Sequence, residues 1–317
     1  MRNFLLKTAA YCILVLAGYE GLYRMGFQPV VTDSTLFDRK MIWLQQHPKA
    51  QPKFIVVGSS TALYGIRSAP MVRNIPLSYF NISSPLLNIA SSWIIIKAVV
   101  RDYRPKYILI ASNVGDFCRK TDSTYHYYGD ASPFVRNYVP ELFYFLDYHS
   151  LHQIVYRKEM VTWLRFDPWG EGLKTYNELL MKKKLADNPG AFLGQLSFDT
   201  AFQQTHYQAL DSMSRWLRQQ QVRLIFVQCP IRASNLGDPA VRAKVERHFL
   251  VCDSIVGANG GIFLNHYNAV TDNDRLFFDA VHLWPPGGDI FTDSVVRDLR
   301  NILPKTKDVN KIIVPGP

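Results

Sequence analysis

The sequence predicts an α/β fold, a central parallel sheet of about five strands covered by helices on both faces. Short runs rich in Val, Ile, Phe and Tyr recur along the chain, separated by stretches of helical period. Polar residues able to do chemistry fall directly after several of these runs, at the carboxyl ends where parallel sheets place their sites. Lys53 to Val57, Leu77 to Ile82, Tyr107 to Ala111, Val222 to Val227 and Gly261 to Leu264 predict the strands. Leu86 to Val100, Phe202 to Gln219 and Val241 to Val256 predict the helices between them, and Ile290 to Ile302 predicts the last one.

Directly after the first strand comes Gly58-Ser59-Ser60, and far downstream Phe278-Asp279-Ala280-Val281-His282-Leu283. A serine hydroxyl attacks an acyl carbon only when an imidazole takes its proton and a carboxylate orients that imidazole. All three groups are present in the order Ser, Asp, His. His266, after the predicted fifth strand, is a rival base without an Asp-x-x partner, and Asp116 and Asp289 are rival carboxylates that read more simply as loop or helix-start residues. The turn is not Gly-x-Ser-x-Gly, and neither a Walker A sequence nor a dinucleotide fingerprint occurs.

These two blocks together resemble the SGNH/GDSL hydrolase superfamily, and within it a membrane-anchored bacterial branch whose opening block reads Gly-Ser-Ser with Gly-Ile shortly after. Here Gly58-Ser59-Ser60 is followed by Gly65-Ile66. The resemblance implies a flavodoxin-like three-layer sandwich and puts Ser60, rather than Ser59, in the nucleophile position. His282 is then the base and Asp279 its orienting acid. Oxyanion donors are implied at Asn113, in Ala111-Ser112-Asn113-Val114, and at the backbone amide of Ser83, where serine stands in the family's glycine position. No metal or cofactor is expected.

The first 25 residues form the second signal. Arg2 and Lys7 precede an apolar run from Thr8 to Tyr19, which is expected to be a signal anchor with the body on the extracytoplasmic (periplasmic) side. Cleavage after Val15-Leu16-Ala17 is the alternative. The expected organisation is an anchor over 1–25, a linker over 26–52, an SGNH-like domain over 53–303 with an insertion at 117–200, and a tail over 304–317. Cys118 and Cys229 each follow a predicted strand and either pair or remain free buried thiols.

The insertion is dense in aromatics, among them Tyr125, Tyr127, Tyr128, Trp163, Phe166 and Trp169. It reads as a lid, a carbohydrate-stacking surface or a membrane-facing collar, or as a helical insertion packing its own core. His149 and His152 lack a third ligand at metal-binding spacing. Lysines and arginines exceed acids by 36 to 26, a net charge of +10 that suits anionic envelope polymers or headgroups. Lys182-Lys183-Lys184 reads as a solvated face, and no nucleic-acid-binding motif accompanies the charge.

The expected function is a membrane-tethered serine esterase or acyltransferase. The resemblance implies as partners a cell-envelope glycan or acylated polymer, the membrane, and a multi-spanning membrane acyltransferase of the kind found in lipoteichoic-acid D-alanylation and alginate O-acetylation. The alternative is a catalytically silent SGNH-like scaffold that binds such a polymer or partner.

Overall fold

A computed structural model of the chain describes residues 1–24, 35–47, 50–85, 87–118, 164–174, 200–270, 274–277 and 279–304. Tyr125, Tyr127, Tyr128, Trp163, His149, His152, Lys182 to Lys184 and all but the first residue of the tail lie outside the described residues.

The main sheet contains β1 (Phe54–Gly58), β2 (Tyr79–Asn81), β3 (Tyr107–Ser112), β6 (Arg223–Gln228) and β7 (Ile262–Asn265). All five run parallel in the order β2-β1-β3-β6-β7, so the strand order reverses beside β1. Strands buried on both faces need apolar side chains at every position. In β1, Ile55 and Val57 face one core while Phe54 and Val56 face the other, as the period of two requires.

The first face is covered by α5 (Ile89–Tyr103), α6 (Gln204–Gln219) and α7 (Pro239–Ala258). The opposite face carries α3 (Ser60–Gly65), α4 (Ser68–Asn74) and α8 (Pro285–Ile302). Helix starts follow local chemistry: Asn88 Oδ1 accepts from Ser91 N at 2.8 Å, and Asp238 Oδ1 accepts from Ala240 N at 2.8 Å with Pro239 next in the chain.

Two regions depart from expectation. Within the expected linker, Thr35–Gln46 forms helix α2, whose Leu36, Phe37, Met41 and Leu44 are almost wholly buried. Burying side chains of this kind contributes about 1.5–3 kcal/mol each, so this stretch is part of the domain. Within the insertion, β4 (Leu164–Phe166) and β5 (Gly172–Lys174) form an antiparallel hairpin. The hairpin lies against the β2 edge: Asn81 N donates to Trp169 O at 2.7 Å, and Gly170 adopts φ +86° where a side chain would collide with Asn81. Lys40 of α2 donates from Nζ to Ser83 O at 2.7 Å, and burial holds its pKa well below the ordinary lysine value against the opposing charge of Asp167.

The N-terminal helix α1 (Arg2–Arg24) exposes Phe4, Leu5, Leu6, Ile13 and Leu14. Among the described residues, no helix is long and apolar enough to cross a membrane. Cys118 and Cys229 are free buried thiols, so the pairing considered for them is not made.

Gln203 N donates to Phe117 O at 2.8 Å, joining the two stems of the insertion. Beside this junction Phe202 stacks on His248 at 4.7 Å, and His248 Nδ1 lies 2.7 Å from Tyr207 Oη. Burial lowers the His248 pKa to about 4. Between that value and the unfolded histidine value near 6.5 the unfolded chain binds more protons, so stability falls as pH drops through this window. Chemical denaturation at pH 7 and pH 5 should show a loss of about 2 kcal/mol from this residue, removed in His248→Gln; equal pH dependence in the two proteins would contradict it.

Candidate active site

The site forms where β1 ends. Ser59, with extended backbone (φ −77°, ψ −166°), caps α3, and Ser60 is the first residue of that helix. A close crossing dictates glycine at position 58: a Cβ there would lie 2.2 Å from Ala111 O and 2.6 Å from the Ala62 Cβ. The serine turn therefore sits directly against the carboxyl end of β3.

The late loop reaches the same place. A bridge between Phe277 and Leu283 pinches it, Trp284 N donates to Leu276 O at 2.8 Å, and Asn235 Nδ2 donates to Ala280 O at 2.9 Å. Within the loop, Asp279 Oδ1 accepts from Val281 N at 2.9 Å and from His282 N at 2.8 Å, and Asp279 Oδ2 lies 2.7 Å from His282 Nδ1. His282 Nε2 is 2.7 Å from Ser60 Oγ. The three residues expected to form the triad are thus in continuous contact. With the Nδ1 proton held by Asp279, Nε2 is left as the acceptor facing the serine hydroxyl. Tyr64 packs edge-on to the imidazole at 6.2 Å and 74°, a neighbour of the base that spacing did not single out.

Burial raises the Asp279 pKa, but the hydrogen bond and charge of His282 and the amides of Val281 and His282 outweigh it and leave the carboxyl below its ordinary value. The rival groups are engaged elsewhere. His266 Nε2 lies 3.1 Å from Asp298 Oδ2, and Asp289 Oδ1 lies 3.3 Å from Arg67 Nε. Cys229 is buried, and burial together with the charge of Asp116 pushes its thiol pKa up, which disfavours the thiolate a cysteine nucleophile needs.

The two expected oxyanion donors differ. Ser83 is fully buried and its amide N donates to Asn81 Oδ1 at 2.9 Å, while Ser84 N donates to Gly58 O at 3.0 Å. The Ser83 amide, expected as an oxyanion donor, is thus engaged by its own neighbour at the end of β2. Asn113 follows β3 and is half-buried, with Nδ2 3.2 Å from Thr61 Oγ1 and 3.4 Å from Ser59 Oγ, against the first turn of α3. Asp116 is 1 % exposed and lies beneath both turns, in contact with Ser59 and Asn113. Among the described residues no cluster of His, Cys, Asp and Glu suits a metal ion.

No protein-family model and no curated protein sequence matches the chain. Solved structures do. A catalytic mutant of an acetylxylan esterase from Geobacillus stearothermophilus superposes with a TM-score of 0.44 at 13% identity, covering 78% of this chain and 94% of that one. A lipase/acylhydrolase from Enterococcus faecalis gives 0.39 at 12% identity over 80% and 97%, and TesA gives 0.43 at 10% over 79% and 99%. Two of these neighbours are described as an esterase and as a lipase/acylhydrolase. Scores below 0.5 at such identities establish no shared activity, so the functional reading rests on the geometry of Ser60, His282 and Asp279.

The lowered Asp279 pKa carries a sign. Its contribution to stability is fully present above the unfolded carboxyl value near 3.9 and is lost as pH falls through the lower folded value. Wild type should therefore lose stability relative to Asp279→Asn in denaturant melts between about pH 5 and pH 2. Parallel curves for the two proteins over that range would contradict the assigned contact.

Proposed function

We propose that the protein is a serine esterase or O-acyltransferase, on the single observation that Ser60, His282 and Asp279 are linked by two contacts of 2.7 Å. Ser60 Oγ attacks the acyl carbonyl as its proton passes to His282 Nε2, and Asp279 stabilises the imidazolium that results. The tetrahedral oxyanion faces Asn113 Nδ2 and the Ser60 amide, which at the first helical position has no intrahelical acceptor. Collapse breaks the ester bond, the leaving alkoxide takes the proton from His282, and the acyl group remains on Ser60. Water or a sugar hydroxyl then gives its proton to His282 and attacks the acyl-enzyme, and collapse breaks the acyl–Oγ bond as His282 returns that proton to Ser60 Oγ.

The proposed substrate is an acyl ester of a cell-envelope glycan or lipid-linked polymer, with a multi-spanning membrane acyltransferase as the proposed partner. The net charge of +10 supports an anionic envelope neighbour. Single-pass tethering in a bacterial cytoplasmic membrane, with the domain on the periplasmic side, is supported by Arg2 and Lys7 at the head of α1 and by its exposed Phe4, Leu5, Leu6, Ile13 and Leu14. The scaffold alternative gains support from Ser83, whose occupied amide leaves the oxyanion site one donor short.

Ser60→Ala and His282→Ala should each abolish turnover of a model ester with little change in stability, because nucleophile and base act as one unit. Asn113→Ala should lower the rate about 10²- to 10³-fold. In cells, failure of the Ser60→Ala protein to restore the envelope modification of a deletion strain is expected; full restoration would establish the scaffold instead.

Protease added to intact spheroplasts should digest the domain and leave roughly the first two dozen residues, the stretch of α1, protected. Resistance until lysis would place the body in the cytosol.

A further inference from the structure

We propose that Asp116 is a positioning residue for the acyl-transfer step, acting through Asn113 and the nucleophile turn. The inference rests on the reading of Ser60 as nucleophile and Asn113 as oxyanion donor. Asp116 is 1 % exposed and belongs to the short 3-10 turn Val114–Phe117 after β3. One of its oxygens, Oδ2, accepts from the Ser59 hydroxyl at 3.1 Å, the Ser112 hydroxyl at 3.1 Å and the Asn113 amide at 3.0 Å. The other, Oδ1, lies 3.4 Å from Asn113 Nδ2.

The carboxylate thus joins two loops that the chain separates widely. Ser59 precedes the nucleophile, and Asn113 Nδ2 lies 3.4 Å from Ser59 Oγ and 3.2 Å from Thr61 Oγ1, the two chain neighbours of Ser60. A buried carboxylate needs several donors at once, so it tolerates little displacement of any of them. The crossing at Gly58 brings the two loops together, and Asp116 holds the Asn113 main-chain amide at 3.0 Å. Its Oδ1 shares the Asn113 side-chain nitrogen with Thr61 Oγ1 and Ser59 Oγ, which keeps Nδ2 against the first turn of α3. Oxyanion stabilisation depends on donors already in place before charge develops, so the effect of Asp116 belongs to the rate of acyl transfer rather than to binding.

The test uses the full-length chain in detergent with p-nitrophenyl acetate as the probe ester, measuring kcat, KM and melting temperature for wild type, Ser60→Ala, Asp116→Asn, Asn113→Ala and the Asp116/Asn113 double variant. Asp116→Asn should lower kcat about 10- to 100-fold with KM within about twofold, since small misplacements of catalytic groups have costs of this order. On the Asn113→Ala background the same change should have no further effect, which a merely structural residue would not show. If kcat stays within about twofold of wild type, or if the two losses multiply in full, Asp116 does not act through Asn113 and the inference fails while the esterase reading stands. If wild type turns over no faster than Ser60→Ala, the esterase reading itself fails and the inference with it. Should Asp116→Asn not fold, Ser59→Ala replaces it, removing the side-chain bond from the nucleophile turn to Asp116: a several-fold fall in kcat that vanishes on the Asn113→Ala background supports the role, and an unchanged kcat overturns it.

Discussion

No side chain fits between β1 and β3 at Gly58, and the site depends on that contact. Gly58 is in register with Ala111, and a Cβ at position 58 would lie 2.2 Å from the Ala111 carbonyl oxygen. The chain can therefore leave β1 close against its neighbour and turn at once into α3. Ser59 and Ser60 follow from this placement, one directed toward Asp116 and the other toward His282. A larger residue would force the two strand ends apart and separate the nucleophile turn from Asn113.

Three acidic groups around this crossing divide the work by location. Asp279 orients the imidazole, and the hydrogen bond and charge of His282, with the amides of its own loop, hold its carboxyl below the ordinary value. Asp116 lies beneath the turn and gathers donors from the end of β3 and from the residue that follows β1. Glu171, on the hairpin, pairs with Arg67 and accepts from Ser68 N, while Gly172 lies against Leu63 and Tyr64, so part of the insertion braces the helix that starts at Ser60. A lone buried carboxylate would carry a large desolvation cost; here each has several donors or a cation.

Much of this was legible in the sequence because the relevant signals are local. The sheet's five strands are short apolar runs, and Asp279-x-x-His282 contains its own turn, with the carboxylate accepting from amides two and three residues on. What escaped depends on distant contacts. Helix α2 was obscured by Lys40, a basic residue in the middle of an apolar stripe, whose side-chain nitrogen donates to Ser83 O far along the chain. The hairpin strands are three residues each and carry no period; the readable signal was Asp167-Pro168-Trp169-Gly170, where Asp167 Oδ1 accepts from Trp169 N and Glu171 N. Ser83 was assigned by its position after β2, but the Asn81 side chain that takes its amide cannot be inferred from spacing. Asp116 looked like an ordinary helix-start residue because Ser59, its partner, lies in another loop.

The central claim is that Ser60 is a nucleophile activated by His282. Peptide mapping by mass spectrometry after exposure of the intact protein to an activated fluorophosphonate tests it most directly, because the reagent bonds only to an activated hydroxyl and records which one. The account predicts a single phosphonyl adduct on Ser60, absent from the His282→Ala protein. An unmodified Ser60 in the folded wild-type protein, or equal labelling with and without His282, would contradict it.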